Sequence, residues 1–169
     1  MPEGFVFNSE SVTEGHPDKL CDQISDAVVD HLLAQDPCAR VRAECAVSGA
    51  IVFLACRFQT EANIDFARVA RQVIGGVGYH RPEFSPQTCN VLTSPRALPV
   101  GAGNRHKTKD GICRTGISNA TQVTVFGFAC RDTPALLPYP IWLAHQLSRR
   151  LSSVRRSGEI ADLSPDAKV

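Results

Sequence analysis

Residues Ser9–Asp30, SESVTEGHPDKLCDQISDAVVD, join a short polar loop to an amphipathic helix. Apolar side chains recur at helical spacing along one face of this helix: Leu20, Ile24, Ala27, Val28 and Leu32. Aspartates recur every four residues on another face: Asp18, Asp22, Asp26 and Asp30. Pro17 suits the first helical position because its φ is already near the helical value and its missing N–H would have no partner there. The pattern therefore predicts a helix that begins at Pro17, packs through one face and leaves its start open.

The segment GHPDK, residues 15–19, places polar groups at that helix start. The unpaired N–H groups and the positive dipole end of a helix attract anions, and the Asp18 carboxylate can hold a hard cation. This combination predicts a site for a metal-bound polyphosphate beside His16, Asp18 and Lys19. A purely structural role stays open, because aspartates in a first turn stabilise a helix without a ligand and a four-residue aspartate repeat is typical of a solvated face.

The stretch SESVTEGHPDKLCDQISDAVVD also closely resembles the amino-terminal signature of S-adenosylmethionine synthetases, or methionine adenosyltransferases. Weaker matches follow in the same order through AQDPCARVRAEC, VGYHRPEFSPQTCNVL, VFGFACRDT, LAHQLSRRL and VRRSGEIADLSPDAK. The resemblance covers nearly the whole chain apart from about residues 95–120. It implies a transferase in which the methionine sulfur attacks C5′ of ATP and triphosphate leaves.

The resemblance also implies roles for particular residues. His16 would contact the triphosphate and act electrostatically as the bond breaks, together with Lys168 on the phosphates. Glu10 and Asp166 would belong to the ATP site, Asp18 would bind Mg²⁺, and Glu44 would hold K⁺. On physical grounds alone a penultimate lysine such as Lys168 is an expected frayed, solvated charge.

Two positions depart from the family pattern where a carboxylate holds the methionine ammonium. Arg57 and Thr121 stand at these positions, and of the second motif only the neighbouring Gln122 agrees. An arginine repels an ammonium group and has no acceptor to offer it. The acceptor could therefore be methionine or another small molecule, for instance one that presents a carboxylate.

The family chain is about twice as long as these 169 residues, and its sites lie between two subunits. We therefore expect a homo- or hetero-oligomer in which a partner subunit completes the site. The sequence leaves two alternatives to an adenosyltransferase open. One is a non-catalytic subunit that regulates or complements a synthetase, and the other is a hydrolase of ATP or triphosphate.

The composition is that of a water-soluble globular protein. Eighteen basic and seventeen acidic residues leave no net field that would attract nucleic acid or an anionic membrane. No apolar run approaches the ~18 residues of a membrane span, and no signal-peptide pattern precedes the motif, so we expect a cytoplasmic protein. The seven cysteines include no CxxC pair and are expected to be reduced thiols in apolar surroundings.

The order of predicted elements indicates an α+β fold, in which helices cover one face of a small, mainly antiparallel sheet. Residues 1–94 are predicted to form the first such domain, 95–119 a basic Gly/Pro-rich connection, and 120–169 the start of a second, similar unit. Within them we expect a hairpin turning at Ser48-Gly49, a helix capped by Thr60 or Asn63 that ends at Gly75-Gly76, and a strand over 89–93. A further strand is expected over 122–130, followed by a helix over 138–155. Five residues of this helix are predicted to face inward: Ile141, Leu143, Ala144, Leu147 and Leu151.

Overall fold

The computed structural model describes Gly4 and residues 6–98, 106–107, 113–114 and 124–169. Its contacts separate two units, which we name the helix–sheet unit, Pro17–Gln122, and the terminal unit, Met1–His16 with Val123–Val169. The sequence-based division, which stays a prediction, instead put the first sixteen residues with 17–94. Most of the predicted connection 95–119 lies outside the described residues.

Helix α1, Pro17–Gln35, begins at the predicted proline. Its buried residues follow one another every four positions, as expected for a single helical stripe: Leu20, Ile24, Val28 and Leu32. Each of these side chains is at most 1% exposed, so the stripe forms the centre of the core. The prediction of a packed helix starting at Pro17 is confirmed.

The sheet of the helix–sheet unit has the order β1-β2-β3. Strands β1, Arg40–Ser48, and β2, Ile51–Gln59, form the predicted antiparallel hairpin, with Ser48 opposite Ile51 and Gly49 at a positive φ of 55° in the turn. Strand β3, Asn90–Ala97, pairs with β2 in parallel, so the sheet is mixed. Alternate β2 residues Val52, Leu54 and Cys56 enter the core with α1, and the expected α+β class is confirmed.

Helix α2, Phe66–Val77, is capped by Asp65, whose side chain accepts a hydrogen bond from the Arg68 N–H at 2.9 Å. The predicted caps Thr60 and Asn63 are wrong. The Thr60 hydroxyl instead donates to Asp36 at 2.7 Å and accepts from the Ala62 N–H at 3.0 Å, which closes the turn before the helix.

The predicted end of α2 at Gly75-Gly76 is also wrong, because the helix runs through both glycines. It ends at Gly78, which has a φ of 104° and donates its N–H to the carbonyls of Gly75 and Ile74. Gly75 serves packing, since a Cβ there would lie 3.1 Å from Cγ of Pro86. One helical glycine costs only about 1 kcal/mol relative to alanine, so tertiary packing can override it.

Replacing Asp65 by alanine should destabilise the helix–sheet unit by about 1 kcal/mol, because the N–H of Arg68 loses its acceptor. Urea unfolding followed by far-UV circular dichroism measures this. Asp65→Asn retains an acceptor oxygen and should destabilise the unit by only a few tenths of a kcal/mol. An equal loss in both variants would contradict the capping role.

Helix α3, Tyr139–Ser157, lies in the terminal unit and ends at Gly158, which has a φ of 72°. Its buried residues are Ala144, Ser148 and Val154. The predicted inward positions Leu143 and Leu147 are wrong, since these side chains are 38% and 48% exposed. The helix turns a face of small and polar residues toward the amino-terminal segment, so the leucine stripe is left outside.

The predicted strand over 122–130 is not present in its described part, residues 124–130. Val125, Phe126 and Phe128 are 83%, 92% and 76% exposed. A strand needs a neighbour for its N–H and C=O groups, and no ladder joins these residues to another described segment. Residues 106–107 and 113–114 form a separate two-stranded pair, β4 (His106–Lys107) and β5 (Cys113–Arg114).

Free thiols occur at Cys21, Cys45, Cys56, Cys89 and Cys130. Cys38 is disulfide-bonded, so the expectation that every cysteine is reduced is wrong for this residue. Its burial, at 5% exposed, fits the predicted apolar surroundings, but burial alone does not decide between thiol and disulfide. In the described part of the chain, no helix combines the length and apolar character that crossing a bilayer requires.

Candidate functional site

Residues 11–15, which lead into GHPDK, pair antiparallel with residues 165–169. Ser11 and Val169 exchange two backbone hydrogen bonds of 2.9 Å, and the Thr13 N–H donates to the Ala167 carbonyl at 2.9 Å. The Gly15 N–H donates to the Pro165 carbonyl at 3.1 Å. We name this arrangement the terminal ladder. It brings PDAK, residues 165–168, beside the motif segment although about 150 positions separate them in the chain.

Two small residues allow the close approach of the two segments. Thr13 is 4% exposed, and its hydroxyl donates to the Pro165 carbonyl at 2.6 Å and accepts from the Ala167 N–H at 2.9 Å. Gly15 has no room for a side chain, because a Cβ would lie 2.4 Å from the Pro165 carbonyl carbon and 2.5 Å from its oxygen. The conformation of the chain directly before His16 is therefore fixed by backbone contacts.

Helix α3 holds the amino-terminal strand of the ladder through side chains. The hydroxyl of Ser11 lies 2.9 Å from Nδ1 of His145 and 3.0 Å from the Ser148 hydroxyl. The Glu14 carboxylate accepts hydrogen bonds from Ser152, from Arg155 at 2.7 Å and from Arg156 at 3.1 Å. The ladder is thus attached to α3 by the hydrogen bonds of the Ser11 hydroxyl and by the ion pairs of Glu14.

Glu14 is a strongly perturbed acid. Burial acts to raise its pKa, but the hydrogen bonds from Ser152, Arg155, the backbone and Arg156 outweigh burial and lower the pKa to about 2. The side chains of Glu14 and Arg155 are 16% and 14% exposed, so this ion pair is screened little by water. No role is predicted for Glu14 from the sequence, although the basic end of α3, Arg155-Arg156, is a signal for an acidic partner.

The ladder brings together several of the predicted site residues of the terminal unit. The Lys168 ammonium lies 2.7 Å from the Glu10 carboxylate, and the two side chains are 51% and 67% exposed. Val12 is directly opposite Lys168, and Asp166 is exposed between Pro165 and Ala167. His16 follows the ladder, is half-buried, and donates its backbone N–H to the Thr13 carbonyl at 3.2 Å. Lys168 is therefore held by backbone pairing on both sides.

Asp18 belongs to the helix–sheet unit, where it is the exposed acidic residue in the first turn of α1. Among the described residues no three His, Cys, Asp or Glu side chains converge as a ready-made metal site. Magnesium is usually held by one or two carboxylates, with phosphate and water oxygens in the remaining positions. The single exposed carboxylate of Asp18 therefore fits an Mg²⁺ ion whose other ligands are phosphate and water oxygens.

Glu44 lies in different surroundings from those that a K⁺ site needs. Its carboxylate accepts a hydrogen bond from Nε of Arg42 at 3.0 Å. The residue lines a cleft that also contains Arg57 and Arg96, so three guanidinium groups repel a cation there. These residues do not fit a potassium ion. The two other predicted substrate residues, Thr121 and Gln122, lie outside the described part of the chain.

Comparisons with known proteins match both parts of the chain. Residues 4–97 match the family model described as "S-adenosylmethionine synthetase, N-terminal domain", and residues 117–169 match "S-adenosylmethionine synthetase, central domain". An S-adenosylmethionine synthase of Trichormus variabilis is 42% identical over 179 aligned positions, covering 100% of this chain. Similar proteins of the same name from Gloeobacter violaceus and Trichodesmium erythraeum are 43% and 40% identical, covering 98% and 99% of this chain.

The chain spans 42% of the length of the Trichormus protein, 41% of that of Gloeobacter and 42% of that of Trichodesmium. The first family model alone matches more than half of the chain, and the second continues it in the same order. The chain therefore belongs to the S-adenosylmethionine synthetase family.

Proposed function

We propose that this chain contributes to ATP-dependent adenosyl transfer and that the terminal ladder is where the phosphates of ATP bind. The observation that supports this most is the pairing of residues 11–15 with 165–169, because it fixes Lys168 beside the segment that leads into His16. A lysine at the end of an unpaired segment would be a mobile, solvated charge. Held by backbone hydrogen bonds, the same ammonium is positioned for an anion.

The proposed reaction places its main demand on electrostatics. A thioether sulfur already has a free lone pair, so attack on C5′ of ATP needs no base, and the bond from C5′ to the triphosphate oxygen breaks as the sulfonium forms. The developing charge on the triphosphate has to be neutralised and oriented. We assign the Lys168 ammonium and the His16 imidazole to that charge, with Asp166 on the nucleotide and Glu10 supporting Lys168.

Asp18, two residues beyond His16 in the chain, is the residue that we propose as a ligand of Mg²⁺. When bound, this ion would neutralise part of the phosphate charge. We do not extend the proposal to K⁺ at Glu44, because the surrounding arginines oppose a cation. The Lys168–Glu10 pair is exposed enough that a multiply charged phosphate can compete for the ammonium, whose three donors are not exhausted by one carboxylate.

Methionine is the acceptor that the names of the relatives suggest, and we propose it as the first substrate to test. The exposed Arg57 offers no acceptor for its ammonium group. Since the chain spans 42% of its Trichormus relative, further groups could come from a second subunit. The same two observations favour the second candidate function, a non-catalytic subunit that binds and complements a synthetase.

Replacing His16 by alanine should abolish ATP-dependent sulfonium formation, since the charge on the leaving triphosphate loses a donor. The loss should reach about 10²-fold or more, as for other transition-state donors. The chain is incubated with ATP, Mg²⁺, K⁺ and methionine, alone and with a full-length synthetase, and sulfonium is measured by mass spectrometry. His31→Ala on the exposed side of α1 is the matched control.

Circular dichroism should be unchanged in the His16 variant, so that the loss reflects chemistry. Normal ATP turnover by His16→Ala would contradict the assignment of the site. Triphosphate or phosphate release without any methionine would indicate a hydrolase. If sulfonium formed only with the full-length synthetase and His16→Ala left that activity intact, the complementing-subunit candidate would replace the catalytic one.

A further inference from the structure

The face of the sheet opposite the helices carries three arginines in one row. In the register of the sheet, Arg42 of β1 lies opposite Arg57 of β2, which lies opposite Arg96 of β3. We name these residues the arginine row. Neighbouring strands are about 4.8 Å apart, so the row extends over roughly 10 Å across the sheet. All three residues are exposed on the face that α1 and α2 leave open.

The positive charges of the arginine row are not fully neutralised by neighbouring side chains in the described part of the chain. Like charges directly opposite each other on neighbouring strands destabilise a sheet, and this row contains two such pairs. Glu44 accepts one hydrogen bond from Arg42 at 3.0 Å. Within the described part of the chain, the side chains of Arg57 and Arg96 form neither a hydrogen bond nor an ion pair. Three positive charges against one negative charge leave a net charge of +2 at this place.

The row lines a cleft of about 460 Å³, a volume that accommodates a small molecule. Glu44, Ala55 and Ser94 form the neighbouring row in the same register, so the floor beside the arginines is made of small and polar groups. A guanidinium group presents paired N–H donors that match carboxylate and phosphate oxygens. The volume of the cleft and its positive charge therefore both fit a small molecule that carries carboxylate or phosphate groups.

We propose that the arginine row is a binding site for a small molecule with two or more oxyanion groups, carboxylate or phosphate, which bridge guanidinium groups of neighbouring strands. A singly charged anion would neutralise one arginine and leave the like-charge pair beside it. A multiply charged anion reduces the repulsion in both pairs, Arg42–Arg57 and Arg57–Arg96. The Glu44 carboxylate accepts a hydrogen bond from Arg42 and, being negatively charged, repels the bound anion.

The test is calorimetric titration of the whole chain with citrate, inorganic pyrophosphate and acetate, at low salt and without Mg²⁺, which citrate and pyrophosphate would chelate. Citrate, pyrophosphate or both should bind in preference to acetate, and the better of the two identifies a polycarboxylate or phosphate source. Arg57→Gln should weaken binding at least about tenfold, as expected for losing a charge-assisted hydrogen bond. Glu44→Gln should strengthen binding, because it removes a competing carboxylate and releases Arg42.

Two control variants distinguish binding at the arginine row from a general effect of charge and from binding at the terminal ladder. Arg68→Gln, an exposed position on α2 with the same change of charge, should leave the affinity unchanged. Lys168→Ala changes the proposed phosphate site in the other unit, and the binding that Arg57→Gln weakens should persist in this variant with unchanged affinity. The proposal is overturned if no multiply charged anion binds, if Arg68→Gln weakens binding as much as Arg57→Gln, or if only Lys168→Ala removes binding. Normal ATP turnover in His16→Ala, which would contradict the proposed function, would not affect this result.

Discussion

Replacing Gly15 by alanine should disrupt the terminal ladder and destabilise the terminal unit by roughly 1–3 kcal/mol, the range for an overpacked site. The new Cβ would lie 2.4 Å from the Pro165 carbonyl carbon, 2.5 Å from its oxygen and 2.5 Å from its Cβ. These contacts are largely with backbone, which can move only by breaking the hydrogen bond from Gly15 to Pro165. Because Lys168 is held by the same pairing, the variant should also lose its affinity for Mg²⁺-ATP.

The single tryptophan of the chain, Trp142 in α3, provides the measurement. Its fluorescence during urea unfolding reports on the unit that contains α3. Gly76→Ala is the matched control, since a Cβ there meets no atom within 4 Å and alanine should stabilise α2 by up to about 1 kcal/mol. A Gly15→Ala protein with unchanged stability and unchanged ATP affinity would show that the ladder is not a structural requirement.

Replacing Glu14 by glutamine should destabilise the terminal unit by roughly 2–3 kcal/mol, because two arginines lose the charge they surround. Arg155 is 14% exposed and cannot recover this loss by hydration. Glu159→Gln is a suitable control, since Glu159 and Arg150 form a pair whose side chains are 49% and 65% exposed. Exposed pairs of this kind contribute up to about 1 kcal/mol.

Glu14 also predicts how stability depends on pH. Its pKa is lowered from 4.5 to about 2 in the folded protein, so the unfolded chain binds the proton more tightly. The stabilisation is therefore complete above about pH 5 and is lost as the pH falls toward 2. Urea midpoints from Trp142 fluorescence at pH 7 and pH 3 should differ in the wild type and differ less in Glu14→Gln. The same difference in both proteins would assign the acid sensitivity to other groups.

Local signals predicted the elements whose interactions are close in sequence. The proline at position 17 and the stripe from Leu20 to Leu32 identified α1, and the β-rich runs on both sides of Gly49 identified the hairpin. These elements are specified by short-range sterics and by one buried face, both of which can be read from spacing. The family resemblance added the motif residues, and comparison with known proteins confirmed the family.

Long-range pairing could not be predicted in this way. Nothing in the periodicity of residues 11–15 or 165–169 indicates that they are partners, since each is too short to have its own pattern. The parallel addition of β3 and the role of Glu14 likewise depend on which segments meet. For 124–130 the alternating pattern was present, but a strand also needs a neighbour. In α3, polar contacts from Ser11 and Glu14 decided which face is buried, and these contacts outweighed the leucine stripe.

The measurement that tests the central claim most directly is amide hydrogen exchange with and without Mg²⁺-ATP. ATP bound at the terminal ladder should slow exchange at the backbone N–H groups that form the ladder, those of Ser11, Thr13, Gly15 and Val169. The slowing should grow with ATP concentration, as for any ligand that binds only the closed form. Unchanged exchange in the ladder at saturating ATP, with protection only elsewhere in the chain, would contradict the claim.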